Sequence, residues 1–387
     1  MQSIKELKTL NFNKINALYK KLHCPDDVFD PTKLPFDRDK YFVLCSERSV
    51  GKTTNVLLWG MCAHEVHGTQ IQYIRQLDQM LEPKRARQLF DTVLKFDYIS
   101  KLTKGRWNSC EYYARGWTYT KVEDGKIIEK DNKPFMYCLG LNQNDFFRST
   151  YNAPDGDVLV YDEFISSYNP QNEFVIFCDM VKTLIRERTS PIIFMLGNTL
   201  DRFHTYFDEM ELLPITTTMP LGQHTETITA KGTPIYIEFV TREKTKEKLH
   251  LNKIFFGFRN KRLGSITGED WAIVPYQHID RNDTPNILIK SFYIKIEDYL
   301  INLEVARSDK YGIHILAHFA NKTYMDSHIY TLEEMNDYRF RYKMGHDKAD
   351  RLIWTLYERK KFFYASNSVG ALVEKYAARC HSDKTLY

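Results

Sequence analysis

An α/β fold with a mostly parallel sheet, followed by a smaller β-rich α+β region, is what this 387-residue sequence predicts. Three observations carry the prediction. Apolar runs at Tyr41–Cys45, Asp157–Tyr161 and Pro191–Gly197 read as strands buried on both faces, as central strands of parallel sheets are. Stretches of helix-compatible residues alternate with them, as β–α–β units require. Beyond Asn282 the apolar residues alternate with polar ones in Leu288–Val305 and Tyr311–Phe319, the pattern of a small β-rich domain.

Taken in order, residues 1–22 place Ile4, Leu7, Leu10, Ile15, Leu18 and Leu22 at roughly helical spacing among lysines, broken near Asn11-Phe-Asn13. Pro25, Pro31 and Pro35 mark a connecting loop. The strand from Tyr41 is followed by a helix from Asn55 to His64 and a second strand at Gln70–Arg75, a β–α–β unit. Residues 104–140 read as short strands and turns, with alternation in Glu111–Thr120 and a turn at Glu123-Asp-Gly125. Glu173–Arg188 reads as a helix, and Asp347–Arg379 as one or two amphipathic helices interrupted near Asn367. The expected domains are 1–238, a basic linker or lid at 239–283, and 284–387.

A hydrophobic content of 43% with 27% charged residues places the chain among globular proteins and excludes a disordered or collagen-like one. Seven cysteines at 24, 45, 62, 110, 138, 178 and 380 form no C-x-x-C pair, which points to a reducing compartment rather than a disulfide scaffold. No signal-peptide region and no apolar run near ~20 residues is evident, so a soluble intracellular protein without membrane partners is expected.

The chemistry begins where the first strand ends. Gly51-Lys52-Thr53 matches the end of the G-x-x-x-x-G-K-[ST] phosphate-binding pattern, between a strand and a helix as the pattern requires. Ser46 stands where the pattern has its first glycine, so loop geometry there can differ. Ser46, Glu47, Arg48, Ser49, Val50, Gly51, Lys52, Thr53 and Thr54 are therefore candidate ATP-binding residues. Loop and helix-terminal amides would cradle phosphate, Lys52 would neutralise the β- and γ-phosphates, and the Thr53 hydroxyl would coordinate Mg²⁺. The fold class is accordingly that of a P-loop NTPase.

A phosphate loop needs a metal-binding carboxylate and a group that activates water. Asp162 and Glu163, at the end of the Asp157–Tyr161 run, supply both in adjacent positions, Asp162 for Mg²⁺ and Glu163 as general base. Their strand is expected beside the phosphate-loop strand, at the carboxyl ends where α/β ligand sites lie. The plain alternative is a solvated Asp-Glu at a strand end. Asn198, after the strand at 191–197, can touch the γ-phosphate or merely cap a turn. Arg186, in Leu184-Ile-Arg-Glu-Arg188, can reach a neighbouring subunit's ATP or simply complement the helix dipole. Between Thr241 and Arg262, eight Lys/Arg face two Glu, with Phe255, Phe256 and Phe258 interleaved. Lys244, Lys246, Lys248, Lys253, Arg259, Lys261 and Arg262 are candidate DNA contacts, against the alternative of a solvated hairpin face.

With these motifs in order, the chain resembles the DNA-packaging ATPases of small tailed phages of the phi-29 type. The residues that carry the resemblance are the loop above, Ile71-Gln-Tyr-Ile-Arg75, Val160-Tyr-Asp-Glu-Phe164, and Lys182-Thr-Leu-Ile-Arg-Glu-Arg188 followed by Asn198. It covers roughly residues 38–215 well and the C-terminal part by length and pattern. The resemblance implies an additional-strand, conserved-glutamate (ASCE) ATPase domain and a homo-oligomeric ring, most simply a pentamer, docked on the portal of a capsid in the host cytoplasm. It implies ATP and Mg²⁺ as cofactors and double-stranded DNA as the cargo, with a packaging RNA left open. It assigns Arg186 as a trans-acting finger and Arg148, in Phe146-Phe-Arg-Ser149, as a second basic residue acting in trans. It also implies a C-terminal degenerate RNase-H-like domain. Nuclease chemistry needs carboxylates converging on two metals, and the spacing of Glu297, Asp298, Glu304, Asp309 and Asp326 singles out no cluster, so no nuclease activity is expected. The rival readings are a helicase or recombination ATPase with the same loop, and a nucleotide-dependent binding switch in which Glu163 is not catalytic.

Overall fold

The computed structural model describes residues 10–25, 28–37, 40–46, 50–145, 156–165, 173–185, 191–198, 202, 204–241, 276–278, 287–296, 299–324, 327–332, 339–342, 344–345 and 348–381. The chain divides into two compact units, Met1–Ile273 and Val274–Tyr387. Much of the expected basic linker at 239–283 lies outside the described residues.

The first unit is built on one ten-stranded sheet. Its strands are β1 (Tyr41–Ser46), β2 (Ile71–Arg75), β3 (Ser109–Tyr113), β4 (Gly116–Glu123), β5 (Lys126–Lys130), β6 (Met136–Gly140), β7 (Val158–Asp162), β8 (Ile192–Asn198), β9 (His224–Ile228) and β10 (Pro234–Val240). The order is β3-β4-β6-β2-β7-β8-β1-β10-β9, with β5 paired to β4. From β6 to β10 all neighbours run parallel, and antiparallel strands close both edges. β10 runs on to Val240, just past the position 238 at which the first domain is expected to end.

Burial on both faces explains the unbroken apolar runs. Phe42 and Leu44 of β1 join a core with Val56 and Trp59 of helix α2 (Lys52–His67), while Val43 and Cys45 join a second core with Phe177 and Met180 of helix α3 (Glu173–Leu184). Helix α2 is apolar on nearly every side because helix α1 (Phe12–Lys20) covers its outer face. Trp59 Nε1 donates to Asn16 Oδ1 across that contact at 2.8 Å. The expected break near Asn11 is the start of α1, whose first turn is capped by the Asn11 side chain.

Two sequence expectations are corrected in this unit. The carboxylate strand β7 does not lie beside β1; β8 separates them and pairs with both. The stretch Glu111–Thr120 is two strands, joined by a tight turn in which Ala114 and Arg115 both have positive φ. Alanine and arginine give no turn signal in sequence, whereas the expected turn at Asp124-Gly125, also with both φ positive, does. All seven cysteines are free thiols. No helix among the described residues is long and apolar enough to cross a membrane.

The second unit has a six-stranded sheet formed by β11 (Ile287–Ile296), β12 (Tyr299–Ser308), β13 (Gly312–Phe319), β14 (Ile329–Thr331), β15 (Phe340–Tyr342) and β16 (Phe362–Tyr364), in the order β15-β14-β11-β12-β13-β16. β11, β12 and β13 form an antiparallel meander, and the outer strands add in parallel. Helices α4 (Lys348–Glu358) and α5 (Asn367–His381) supply Ile353, Trp354, Val369, Val373 and Tyr376 to a core with Phe292, Ile294, Leu303 and Ile315. The expected helical stretch 347–379 is therefore interrupted by a strand. Phe362-Phe-Tyr364 is too short to show a period, and pairing with β13 decides its conformation.

Candidate functional site

The β1–α2 connection is held from outside the sheet. Val50 O accepts from Phe29 N at 3.0 Å. Gly51, at φ +84°, turns the chain into the helix, a conformation that glycine adopts without the cost of a side chain. A Cβ there would also lie 2.9 Å from Asn55 Nδ2. Asn55 Nδ2 donates back to Gly51 O at 2.9 Å, and its Oδ1 accepts from Tyr19 Oη at 2.7 Å, so α1 braces the turn. No side chain among the described residues caps α2, and its first-turn amides carry the partial positive charge that suits an anion.

Lys52 opens α2 and is buried, with Nζ donating to Ser46 Oγ at the end of β1. Burial pushes its ammonium down to about 8, against the opposing pull of Asp162 and Glu163. Thr53 Oγ1 donates to Asp162 Oδ1 at 3.0 Å. Thr54 is half-buried on the same first turn. Thus the loop, α2 and the end of β7 converge, although β8 lies between the two strands.

The other oxygen of Asp162 faces β2. Tyr73 Oη donates to Asp162 Oδ2 at 2.7 Å, and Arg75 donates one guanidinium nitrogen to the same oxygen at 3.2 Å and the other to Glu163 Oε2. Asp162 is nearly buried, whereas the Glu163 side chain is 48% exposed. Glu163 has φ +57°, a left-handed conformation uncommon for a side chain of this kind. The chain leaves β7 through that residue, and Phe164 N then bonds Leu196 O of β8 at 3.3 Å. Gly197 makes room for this turn, because a Cβ on it would come 2.7 Å from Ile165 and 2.9 Å from the Phe164 ring.

Asn198 ends β8 half-buried, in register with Ser46 of β1, while Asp162 is in register with Leu196. Glu47, Arg48, Ser49, Arg148, Arg186 and the basic residues Lys244, Lys246, Lys248, Lys253, Arg259, Lys261 and Arg262 lie outside the described residues. In the second unit, buried Glu304 is paired with His318 at 3.2 Å, and Glu297, Asp298 and Asp326 lie outside the described residues.

Tyr73 and Arg75 are the site residues to which the sequence reading gives no role. A signal for them exists: they are polar residues two apart on a buried strand, hence on one face, with the arginine at the carboxyl end. What that face meets is decided by the placement of β7 next to β2.

No family model and no curated protein matches the sequence. Solved structures do. The Phi-28 gp11 DNA packaging motor superposes over 92% of this chain and 99% of its own, at 15% identity and a TM-score of 0.60. The bacteriophage Phi-29 viral genome packaging motor assembly does so over 92% and 100%, at 15% identity and a TM-score of 0.59. Over most of its length, this chain has the fold of the phage DNA-packaging motor proteins.

Proposed function

We propose that this chain is an ATP-driven double-stranded DNA translocase that packages a viral genome into a preformed capsid, working as a homo-oligomeric ring. The observation that carries the reading is the convergence of Lys52 and Thr53 on Asp162 and Glu163, at the carboxyl ends of parallel strands with one extra strand between them. That interposed strand supports the ASCE type of P-loop ATPase, on a fold shared with packaging motors.

In this reading the α2 amides and Lys52 take the phosphates, with Ser46 releasing the ammonium. Thr53 and Asp162 fit Mg²⁺. Their oxygens are 3.0 Å apart, and neighbouring ligands of an octahedral ion at ~2.1 Å stand about that far from each other. The metal, when bound, would neutralise charge on the transferred phosphoryl group. Glu163 takes the proton of the attacking water, which requires that it leave Arg75. Arg186 and Arg148 act from a neighbouring subunit, and Asn198, in register with Ser46 at the end of β8, would touch the γ-phosphate. The basic residues from Lys244 to Arg262 grip the DNA backbone, a sequence-independent contact suited to a motor.

The mixed sheet and paired helices of the second unit support a degenerate RNase-H-like domain. Neither β11 nor β14 carries a carboxylate, and Glu304 is engaged with His318, which supports a domain without nuclease activity. The partners in this reading are DNA, the portal at the capsid vertex and further copies of the chain, with a packaging RNA left open.

The test is ATP turnover at low salt, with and without linear double-stranded DNA, alongside Lys52→Ala. Hydrolysis that depends on Lys52 and is stimulated more by duplex than by single strands supports the motor. Stronger stimulation by single strands supports a helicase. The engagement of Glu163 by Arg75 favours, as a second reading, a nucleotide switch; binding without Lys52-dependent turnover supports it.

A further inference from the structure

Behind the strand ends that carry Arg75 and Asp162 lies a second polar cluster. Glu173, the first residue of α3, is only 3% exposed. Its carboxylate receives three hydrogen bonds from three separate segments. Gln76 Nε2 donates to Oε2 at 2.5 Å, Tyr161 Oη to Oε1 at 2.7 Å, and Tyr206 Oη to Oε1 at 3.0 Å. The two phenols also touch each other at 3.3 Å.

Two of these donors are chain neighbours of the reaction centre. Gln76 follows Arg75, and Tyr161 precedes Asp162. Successive residues of a strand point to opposite faces. Tyr73 and Arg75 therefore share with Asp162 the face on which Asp162 meets Thr53 of α2, while Tyr161 packs in the core of α3 on the other. Among the described residues every donor to Glu173 is a neutral amide or phenol. Burial raises the Glu173 carboxyl above the ordinary range, and the three hydrogen bonds oppose that rise. A desolvated carboxylate held this way is costly for a fold that could place an apolar residue at the helix start.

We propose that Glu173 is a positioning residue for hydrolysis: by holding Gln76 and Tyr161 from behind, it fixes the ends of β2 and β7 so that Asp162 and Glu163 meet metal and water in register. It also ties those ends to α3, whose chain continues to Arg186, so that a displacement of that helix reaches the carboxylates. The proposal rests on the ATPase reading above for its kinetic consequences, though not for its structural ones.

The test compares wild type with Glu173→Gln, which keeps size and loses charge, and with Tyr161→Phe, a milder variant should the first fail to fold. Hydrogen exchange of the nucleotide-free protein is measured first. Faster exchange at 71–77 and 158–164, with 41–46 unchanged, is expected, and no change there overturns the proposal whether or not the protein hydrolyses ATP. Fluorescent ATP-analogue affinity is then expected to stay within about twofold, while kcat falls about tenfold and the Mg²⁺ concentration for half-maximal turnover rises. A lower melting temperature with kcat and Mg²⁺ dependence unchanged indicates a purely structural carboxylate and overturns it. Absence of Lys52-dependent turnover in wild type sinks the ATPase reading alone, and the exchange result still decides the role of Glu173.

Discussion

Arg75, at the end of β2, is ion-paired with Glu163, just past the end of neighbouring β7, and the same guanidinium reaches Asp162. While it is paired, the Glu163 oxygen that would face an attacking water is occupied by the guanidinium. Removal of the guanidinium leaves Asp162 held by Thr53 and Tyr73. Arg75→Ala is therefore expected to raise DNA-independent ATP turnover by about threefold or more while keeping its dependence on Lys52. Steady-state phosphate release without DNA checks this; an unchanged or lower rate would mean that Arg75 does not restrain Glu163.

Glu163 is both the expected base and a residue in a left-handed conformation. Glu163→Gln is expected to lower kcat by about 10²–10⁴ with nucleotide binding retained. Full turnover in that variant would support the switch reading. Glu163→Gly should abolish turnover too, yet stabilise the fold by about 1 kcal/mol, since glycine relieves the backbone cost. Denaturant midpoints of the three proteins measure the trade.

If Lys52 takes phosphate as proposed, nucleotide affinity is expected to depend on pH. The Lys52 ammonium, lowered from 10.5 to about 8, is charged at neutral pH and loses its proton as pH rises through 8. Phosphate binds the charged form, so affinity should be flat below 8 and fall above it by up to about tenfold per pH unit. Titration of fluorescent ADP between pH 6.5 and 9.5 reads this, and Lys52→Ala should flatten the curve. The sign for stability is opposite. Between about 8 and 10.5 the unfolded chain holds a proton at Lys52 that the folded chain has lost, so this group makes folding more favourable as pH rises.

The basic segment predicts a salt effect. If Lys244, Lys246 and Lys248 lie on phosphates, replacing all three by alanine should reduce the slope of log K against log salt for duplex DNA by about 2.7. DNA-free turnover should not change. An unaltered slope would make the segment a solvated face.

Local information made the loop legible. Tyr41–Cys45, Gly51-Lys52-Thr53 and Val158–Asp162 are each short runs whose residue types dictate strand, turn or helix start without distant help. The hairpin at Asp124-Gly125 was equally plain, and the one at Ala114-Arg115 was not, because only the first uses residues that favour positive φ.

By itself, then, the sequence determined that a strand enters a glycine turn that opens a helix and that a second apolar strand ends in Asp162-Glu163, since hydrophobic period and turn chemistry act over a few residues. Tertiary structure alone decided which strands are neighbours. The insertion of β8 between β1 and β7, the bonds from Tyr73 and Arg75 of β2 to Asp162, and the grip of Glu173 on Gln76 and Tyr161 join segments far apart in the chain. Such partners are selected by packing the whole sheet, and no local pattern encodes the strand order that brings them together.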